Sequence, residues 1–308
     1  IGVRLVGSEM CIRDSICTLW LPEALSFWLA KKILSQNIPY SISVHAMEVV
    51  DSEESLKKKF RKKLTPLKEK VFQQAHKIFC VSQYSKDLIQ SLVSLKEGQA
   101  VVINNGADPN AFKPTQLRTN HPYPELLTAC RLLPNKGIDQ VLMSLPELIE
   151  KFPYLTYHIC GEGPDLDRLN QLVSELKISK QVQFHGKVTL DLLNKRFQSA
   201  DLFVMLSRQE KHFVEGFGLV FLESALCGTA SLGGRSGGIP DAIEDGITGW
   251  LVDPEDKQAI TTKLTEILQD PERLEQVGRV ALAKTLNEKT WTHRLKPVSY
   301  THLTLATK

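Results

Sequence analysis

Between Glu125 and Val252 the chain repeats one pattern: a short apolar run, a tight turn, then apolar residues at helical spacing. The apolar runs are Glu125–Cys130, Thr156–Cys160, Val182–Phe184, Leu202–Leu206, Thr229–Leu232 and Trp250–Val252. Helical stretches fall near 138–151, 164–176, 190–198, 218–227 and 239–243, with 256–269 and 271–286 after them. Strands alternating with helices over short connections are buried together in a parallel sheet covered on both faces. The pattern therefore predicts a doubly wound α/β domain. Asp270-Pro271 separates the last two helices and puts proline at a first helical position, where its missing N–H is not needed.

Upstream, residues 16–36 predict a helix whose apolar side is Leu21, Leu25, Trp28 and Leu29. Tyr40–Val44 predicts a strand, ending in His45-Ala46-Met47-Glu48. Parallel sheets place ligand-contacting groups at such strand ends, and a purely structural histidine fits there equally well. Residues 55–75 are basic and amphipathic. Leu56, Phe60, Leu64, Leu67 and Val71 share one side, while Lys57, Lys58, Lys59, Arg61, Lys62, Lys63, Lys68 and Lys70 crowd the other. Pro66 either starts a second helix or kinks the first. Segment 56–71 reads as a solvated helix face or as peripheral docking on an anionic membrane. Lys77–Val81 and Ala100–Ile103 predict strands, with Ser82 or Gln83 near the cap of the helix that runs to Leu92. Residues 106–124, with Pro109, Pro114, Pro122 and Pro124, read as a linker, so a domain boundary is expected at 114/115.

Composition excludes some classes. The 308 residues are 42% hydrophobic and 24% charged, ordinary for a globular protein of one or two domains. A net charge of +3 is too small to imply a nucleic-acid partner. Nothing approaches the run of roughly eighteen apolar residues that a membrane span needs; the nearest stretch, 16–30, contains Pro22 and Glu23. Cys17, Cys80, Cys130, Cys160 and Cys227 are scattered without a C-x-x-C pair and read as buried thiols of a reducing cytosol.

The two ends are set aside. Within residues 1–15, Arg4–Ser15 looks like the translation of a transposase sequencing adapter, and within 297–308, Pro297–Leu305 looks like that of the opposite adapter. The native segment is expected within Ile16–Lys296.

The stretch richest in chemistry is Glu215-Gly216-Phe217-Gly218-Leu219-Val220-Phe221-Leu222-Glu223, downstream of the strand at 202–206. Leu219, Leu222 and Leu226 have helical spacing, so Gly216 and Gly218 stand where a strand gives way to a helix. The unpaired N–H groups and dipole of such a terminus suit an anion, and glycine lets a phosphate reach the backbone. Glu215 and Glu223 would flank it with carboxylates. That arrangement suits a sugar nucleotide, whose hydroxyls lie on both sides of its diphosphate. Arg131 and Lys136, at either end of one turn, can converge on the same diphosphate, one as a planar fork and the other as a point charge.

The ordered set Glu215–Glu223, Gly237-Gly238-Ile239-Pro240, Gly246–Val252 and Asp253–Asp256 resembles the retaining glycosyltransferases of family 4, also called group 1. The resemblance extends to Arg131–Gly137, with Cys130 in place of the usual glycine, to Gly161-Glu162-Gly163-Pro164, to Asn104–Asp108 and to His45-Ala46. It implies the GT-B fold, two Rossmann-like domains facing a cleft. Residues 16–114 would be an incomplete acceptor-side domain and 115–296 the nucleotide-sugar-binding domain.

The implied reaction moves a hexose from a UDP- or GDP-sugar to a polysaccharide or lipid-linked acceptor, with retention. The alternative for a truncated chain is donor binding without efficient turnover. By the same resemblance, Arg131 and Lys136 hold the diphosphate, and Gly161 and Gly163 lie beside the base. Backbone N–H groups of Phe217, Gly218 and Leu219 meet the phosphates, which Gly216 and Gly218 let approach the backbone. Glu223 takes the ribose hydroxyls, Glu215 and His45 face the transferred sugar, and Gly237 and Gly238 keep a turn slim next to it. Paired glutamates also occur in glycosidases, but an adjoining phosphate site argues against that chemistry. The cations and amides do the work a divalent ion does elsewhere, so no metal and no cofactor beyond the donor co-substrate are expected. The expected location is the cytoplasm, or the periphery of the inner face of the plasma membrane.

Overall fold

The computed structural model describes residues 15–35, 38–46, 57–114, 123–211 and 213–295, with backbone alone for 57–65. Residues 1–14 and 296–308, most of the two adapter-like ends, lie outside the described residues, as do Met47 and Glu48. The chain divides into two compact units between Ile103 and Asn104.

In the first unit β1 (Ser15–Cys17), β2 (Tyr40–Val44), β3 (Ile78–Cys80) and β4 (Ala100–Val102) form a parallel sheet in chain order. Helices α1 (Leu25–Ile33), α2 (Lys57–Gln74) and α3 (Gln83–Leu92) accompany it. Tyr40, Ile42, Val44 and Ile78 are buried in one cluster with Trp20, Trp28, Val71, Phe72 and Ile89. Ser82 caps α3, its Oγ accepting the Ser85 N–H at 3.1 Å.

Two expectations need correction here. The helix predicted over 16–36 holds only for its second half, because Ile16 and Cys17 pair with Ser41 and Ile42 in the sheet. A neighbouring strand supplies backbone partners that override local helical spacing. Glu23 then holds the turn after β1, its Oε2 accepting from the Thr18 N–H at 2.8 Å and the Thr18 hydroxyl at 2.7 Å. Helix α2 runs through Pro66 without a break. The side chains of Lys57–Lys63 lie outside the description, Lys70 is exposed, and Lys68 is buried with Nζ 5.7 Å from the Trp20 ring centre. A lysine stem packs readily on apolar surface, and an indole face attracts its ammonium. One cation of the expected basic face is thus turned inward.

The second unit holds β5 (Glu125–Ala129), β6 (Thr156–Cys160), β7 (Val182–Phe184), β8 (Leu202–Met205), β9 (Ala230–Gly234) and β10 (Trp250–Val252). They form a parallel sheet in the order β10-β9-β8-β5-β6-β7. Its helices are α4 (Ile138–Lys151), α5 (Leu166–Glu175), α6 (Leu190–Ser199), α7 (Leu219–Leu226), α8 (Ile239–Ala242), α9 (Lys257–Gln269) and α10 (Pro271–Glu288). Alternate side chains of β8 leave by opposite faces of the sheet. Leu202 and Val204 join a core with Val141, Leu142, Ile260 and Leu264, while Phe203 meets Phe197 and Phe221 edge-on at 5.4 and 5.5 Å. A strand covered on both sides needs apolar residues at every position, which is why this run does not alternate.

Residues 106–114, part of the expected linker, belong to the second unit. The Ala107 N–H donates to the Lys289 carbonyl at 2.9 Å, and the Trp291 N–H to the Ala107 carbonyl at 3.3 Å. Phe112 is buried edge-on to Phe197 at 5.9 Å. Pro109 and Pro114 lie in irregular backbone, but Ala107 and Phe112 dock it, so the compact units divide before the expected 114/115. Among the described residues no helix is long and apolar enough to cross a membrane.

Candidate functional site

Strand order reverses between β5 and β8, which lie side by side. At such a switch point, parallel sheets bind ligands in the crevice outside the carboxyl ends of their strands. The loop from β5 passes Arg131, makes a short turn at Pro134–Lys136 and enters α4 through Gly137. Gly137 has φ +71°, and a Cβ there would lie 2.0 Å from the Leu206 carbonyl oxygen. The loops from β5 and β8 therefore touch backbone to backbone. That approach brings Lys136 Nζ to 2.6 Å from Glu215 Oε2, with the two side chains only 17% and 19% exposed.

Glu215 is held from its other side as well. Its carbonyl accepts the Gly238 N–H at 2.9 Å, and a Cβ on Gly237 would come within 2.3 Å of the same oxygen. The slimness expected here is used, at Gly237, against the Glu215 backbone. Gly218, with φ +87°, starts α7; its carbonyl accepts the Phe221 N–H at 3.0 Å, and the N–H groups before Phe221 have no carbonyl one helical turn back. Glu223 lies in the second helical turn of α7, and burial pushes its carboxyl above the ordinary range.

A cavity of about 740 Å³ is lined among others by Arg131, Gly161, Gly163, Lys187 and Glu223, and by Cys130, which lies close enough to Lys136 and Glu215 to feel both charges. Gly161 and Gly163 turn tightly against the loop from β5: a Cβ would stand 1.8 Å from the Cys130 carbonyl oxygen at the first and 2.1 Å from that of Leu132 at the second. Arg131 is exposed at the rim. Cys130, in the place of the usual glycine, has its thiol pushed up to about 12 by burial; Lys136 pulls it down and Glu215 raises it, both by less. Lys187 and Val188 also line the cavity. Sequence reasoning missed them, although they leave β7 at the same strand end that marked the other loops.

The structure thus unites Lys136 with Glu215, and Arg131 with Glu223, Gly161 and Gly163. His45 stands in the first unit, exposed at the end of β2, with Nε2 3.3 Å from Ser43 Oγ. Asp165-Leu166-Asp167 has the spacing of a divalent-ion pair, but Arg168 grips both oxygens of Asp165 at 2.6 Å. No cluster of three or more His, Cys, Asp or Glu suited to a metal occurs among the described residues.

A Mycolicibacterium smegmatis GDP-mannose-dependent alpha-(1-6)-phosphatidylinositol monomannoside mannosyltransferase is 34% identical over 199 residues, 61% of this chain and 52% of that protein. The N-acetyl-alpha-D-glucosaminyl L-malate synthase of Bacillus anthracis is 26% identical over 269 residues, 85% of this chain and 66% of that protein. The chain spans about half the length of the mannosyltransferases it matches. The sucrose-phosphate synthase of Thermosynechococcus elongatus superposes with TM-score 0.77 at 22% identity, covering 96% of this chain and 74% of that one. Anabaena HepE in complex with UDP gives 0.76 at 19% identity, covering 91% and 76%. At those identities the likeness shows the fold alone, the two-sheet GT-B architecture. The family model for Glycosyltransferase Family 4 matches residues 18–111. The model for group 1 glycosyl transferases matches residues 110–283, more than half of the chain, and the chain belongs to that family.

Proposed function

We propose that this chain carries the donor half of a retaining glycosyltransferase that moves a hexose from a UDP- or GDP-sugar to a polysaccharide or lipid-linked saccharide. The observation that carries the reading is the Lys136–Glu215 contact at the switch point, beside the cavity shared by Arg131 and Glu223. Glycosyl transfer breaks the bond between the anomeric carbon and the diphosphate oxygen, and negative charge gathers on the leaving group. Arg131, Lys136 and the N-terminus of α7 are pre-placed donors for that charge, so little reorganisation is needed as it develops. Glu215 takes hydroxyls of the transferred sugar, and Glu223 those of the ribose. Backbone N–H groups of Phe217, Gly218 and Leu219 meet the phosphates, and Gly237 and Gly238 give the sugar room. His45 is assigned to the transferred sugar on the family resemblance. No metal is required in this scheme, because fixed cations and amides take its electrostatic part.

The relatives support the substrate class: one is described as GDP-mannose-dependent and acts on a phosphatidylinositol mannoside. A lipid-linked acceptor would bring the basic helix α2 to an anionic membrane surface. A second reading, donor binding without efficient turnover, is favoured by the match to only about half of those relatives. A saturation-transfer screen of the chain against UDP- and GDP-sugars tests both. Binding of a nucleotide sugar that is lost in Lys136→Ala supports the site, and hydrolysis or transfer of the bound sugar separates the two readings. Failure to bind either nucleotide class would retire the proposal.

A further inference from the structure

Asp139 is a carboxylate only 7% exposed, and the donor chemistry makes no use of it. It lies in the first turn of α4, just past the Lys136-Gly137 turn. Arg208, on the loop leaving β8, grips it with both ends of the guanidinium, Nη1 to Oδ1 at 2.9 Å and Nη2 to Oδ2 at 3.0 Å. The backbone of Arg208 adds a second tie, its N–H donating to the Asn135 carbonyl at 2.9 Å. Arg168, in α5, donates to the same carboxylate at 3.3 Å while also gripping Asp165. The Asp165 N–H in turn donates to the Leu132 carbonyl at 3.3 Å. Burial alone would push the Asp139 carboxyl up, but hydrogen bonds and charge from Arg208, and then the charge of Arg168, hold it below the ordinary range.

The loop from β8 is therefore fastened at both ends to one short segment. Its start is tied by Arg208 to Asn135 and Asp139, and its end by Glu215 to Lys136. A bidentate arginine–carboxylate pair fixes geometry as well as charge, and removing one partner of a buried pair strands the other. We propose that Asp139 is a positioning residue: through Arg208 it sets the register of the Glu215-bearing loop against the Lys136 turn, and so prepares the site for the donor diphosphate. The proposal rests on the donor-site reading above.

The test compares Asp139→Asn, Lys136→Ala and the double variant by two readouts. The first, free of ligand, is hydrogen exchange of the Arg208 amide, expected to quicken about tenfold in Asp139→Asn while amides within β8 stay protected. The second is calorimetry with GDP and UDP, where Asp139→Asn alone should weaken binding about tenfold, yet add nothing once Lys136 is gone. Arg208→Lys, which keeps the charge and the backbone bond, carries the same cycle should Asp139→Asn not fold. Additive losses in the double variant, or unchanged Arg208 exchange, overturn the clamp. A protein that binds neither GDP nor UDP defeats the donor reading instead, and the exchange result then decides the clamp by itself.

Discussion

The two sheets are built alike, parallel and helix-covered, yet they differ in one topological respect. The four described strands of the first unit lie in chain order, whereas those of the second reverse between β5 and β8. Such a reversal marks the crevice in which parallel sheets bind ligands, and it also sets the loops of β5 and β8 side by side, where they touch backbone to backbone. In the first unit the polar group at a strand end, His45, meets Ser43 two residues away. In the second, Lys136 meets Glu215 across 79 positions of sequence. Glycines divide by loop rather than by unit: Gly98 in the first and Gly246 in the second both have open space where a Cβ would stand, while Gly161, beside the loop from β5, has a carbonyl oxygen 1.8 Å from it. Strand order thus decides which loops far apart in sequence meet.

The comparison is most easily broken at Gly161. With φ +139° and a backbone oxygen in the way, Gly161→Ala should cost more than about 3 kcal/mol of unfolding free energy, measured by urea denaturation. Lys136→Ala comes next, with a loss of about 1.5–3 kcal/mol in GDP or UDP binding, the range of a charged hydrogen bond. Calorimetry reads it, and unchanged affinity would detach the cation from the diphosphate.

Glu223→Gln should have a smaller effect, about 1 kcal/mol, with a pH signature. Burial raises the carboxyl of Glu223, so the free protein holds that proton above the ordinary carboxylate range. Ribose hydroxyls donate to the ionised form, so binding lowers this pKa and releases a proton. Nucleotide affinity should therefore climb as pH rises through the raised value, and the climb should flatten in Glu223→Gln. The variant should also hurt a ribonucleotide more than its 2′-deoxy analogue. For folding the sign is opposite: the raised carboxyl favours the folded state below the unfolded pKa, and that advantage fades as pH rises through the folded one.

The smallest effects belong to the first unit. Gly98→Ala, with φ +68° but open space, should cost only about 1 kcal/mol. His45→Ala should leave nucleotide affinity unchanged while lowering turnover in any transfer assay. Should Gly98 and Gly161 prove equally sensitive, the contrast between an open and a packed turn fails.

The strands and helices of the second unit were legible in the sequence nearly to the residue, as were the glycines at their turns. Each depends on side-chain period and turn chemistry, which act over a few neighbouring positions. The motif order also pointed to the family, because a phosphate-binding helix start and its flanking glutamates lie in one continuous stretch. Only the tertiary structure decided that Ile16 enters a sheet, that Lys68 turns inward against Trp20, and that Ala107 and Phe112 dock on the second unit. It alone joined Lys136 to Glu215 and drew Arg168 and Arg208 onto Asp139. Those contacts depend on which strands become neighbours, and that choice is made by burial summed over the whole sheet, which no local window of residues contains.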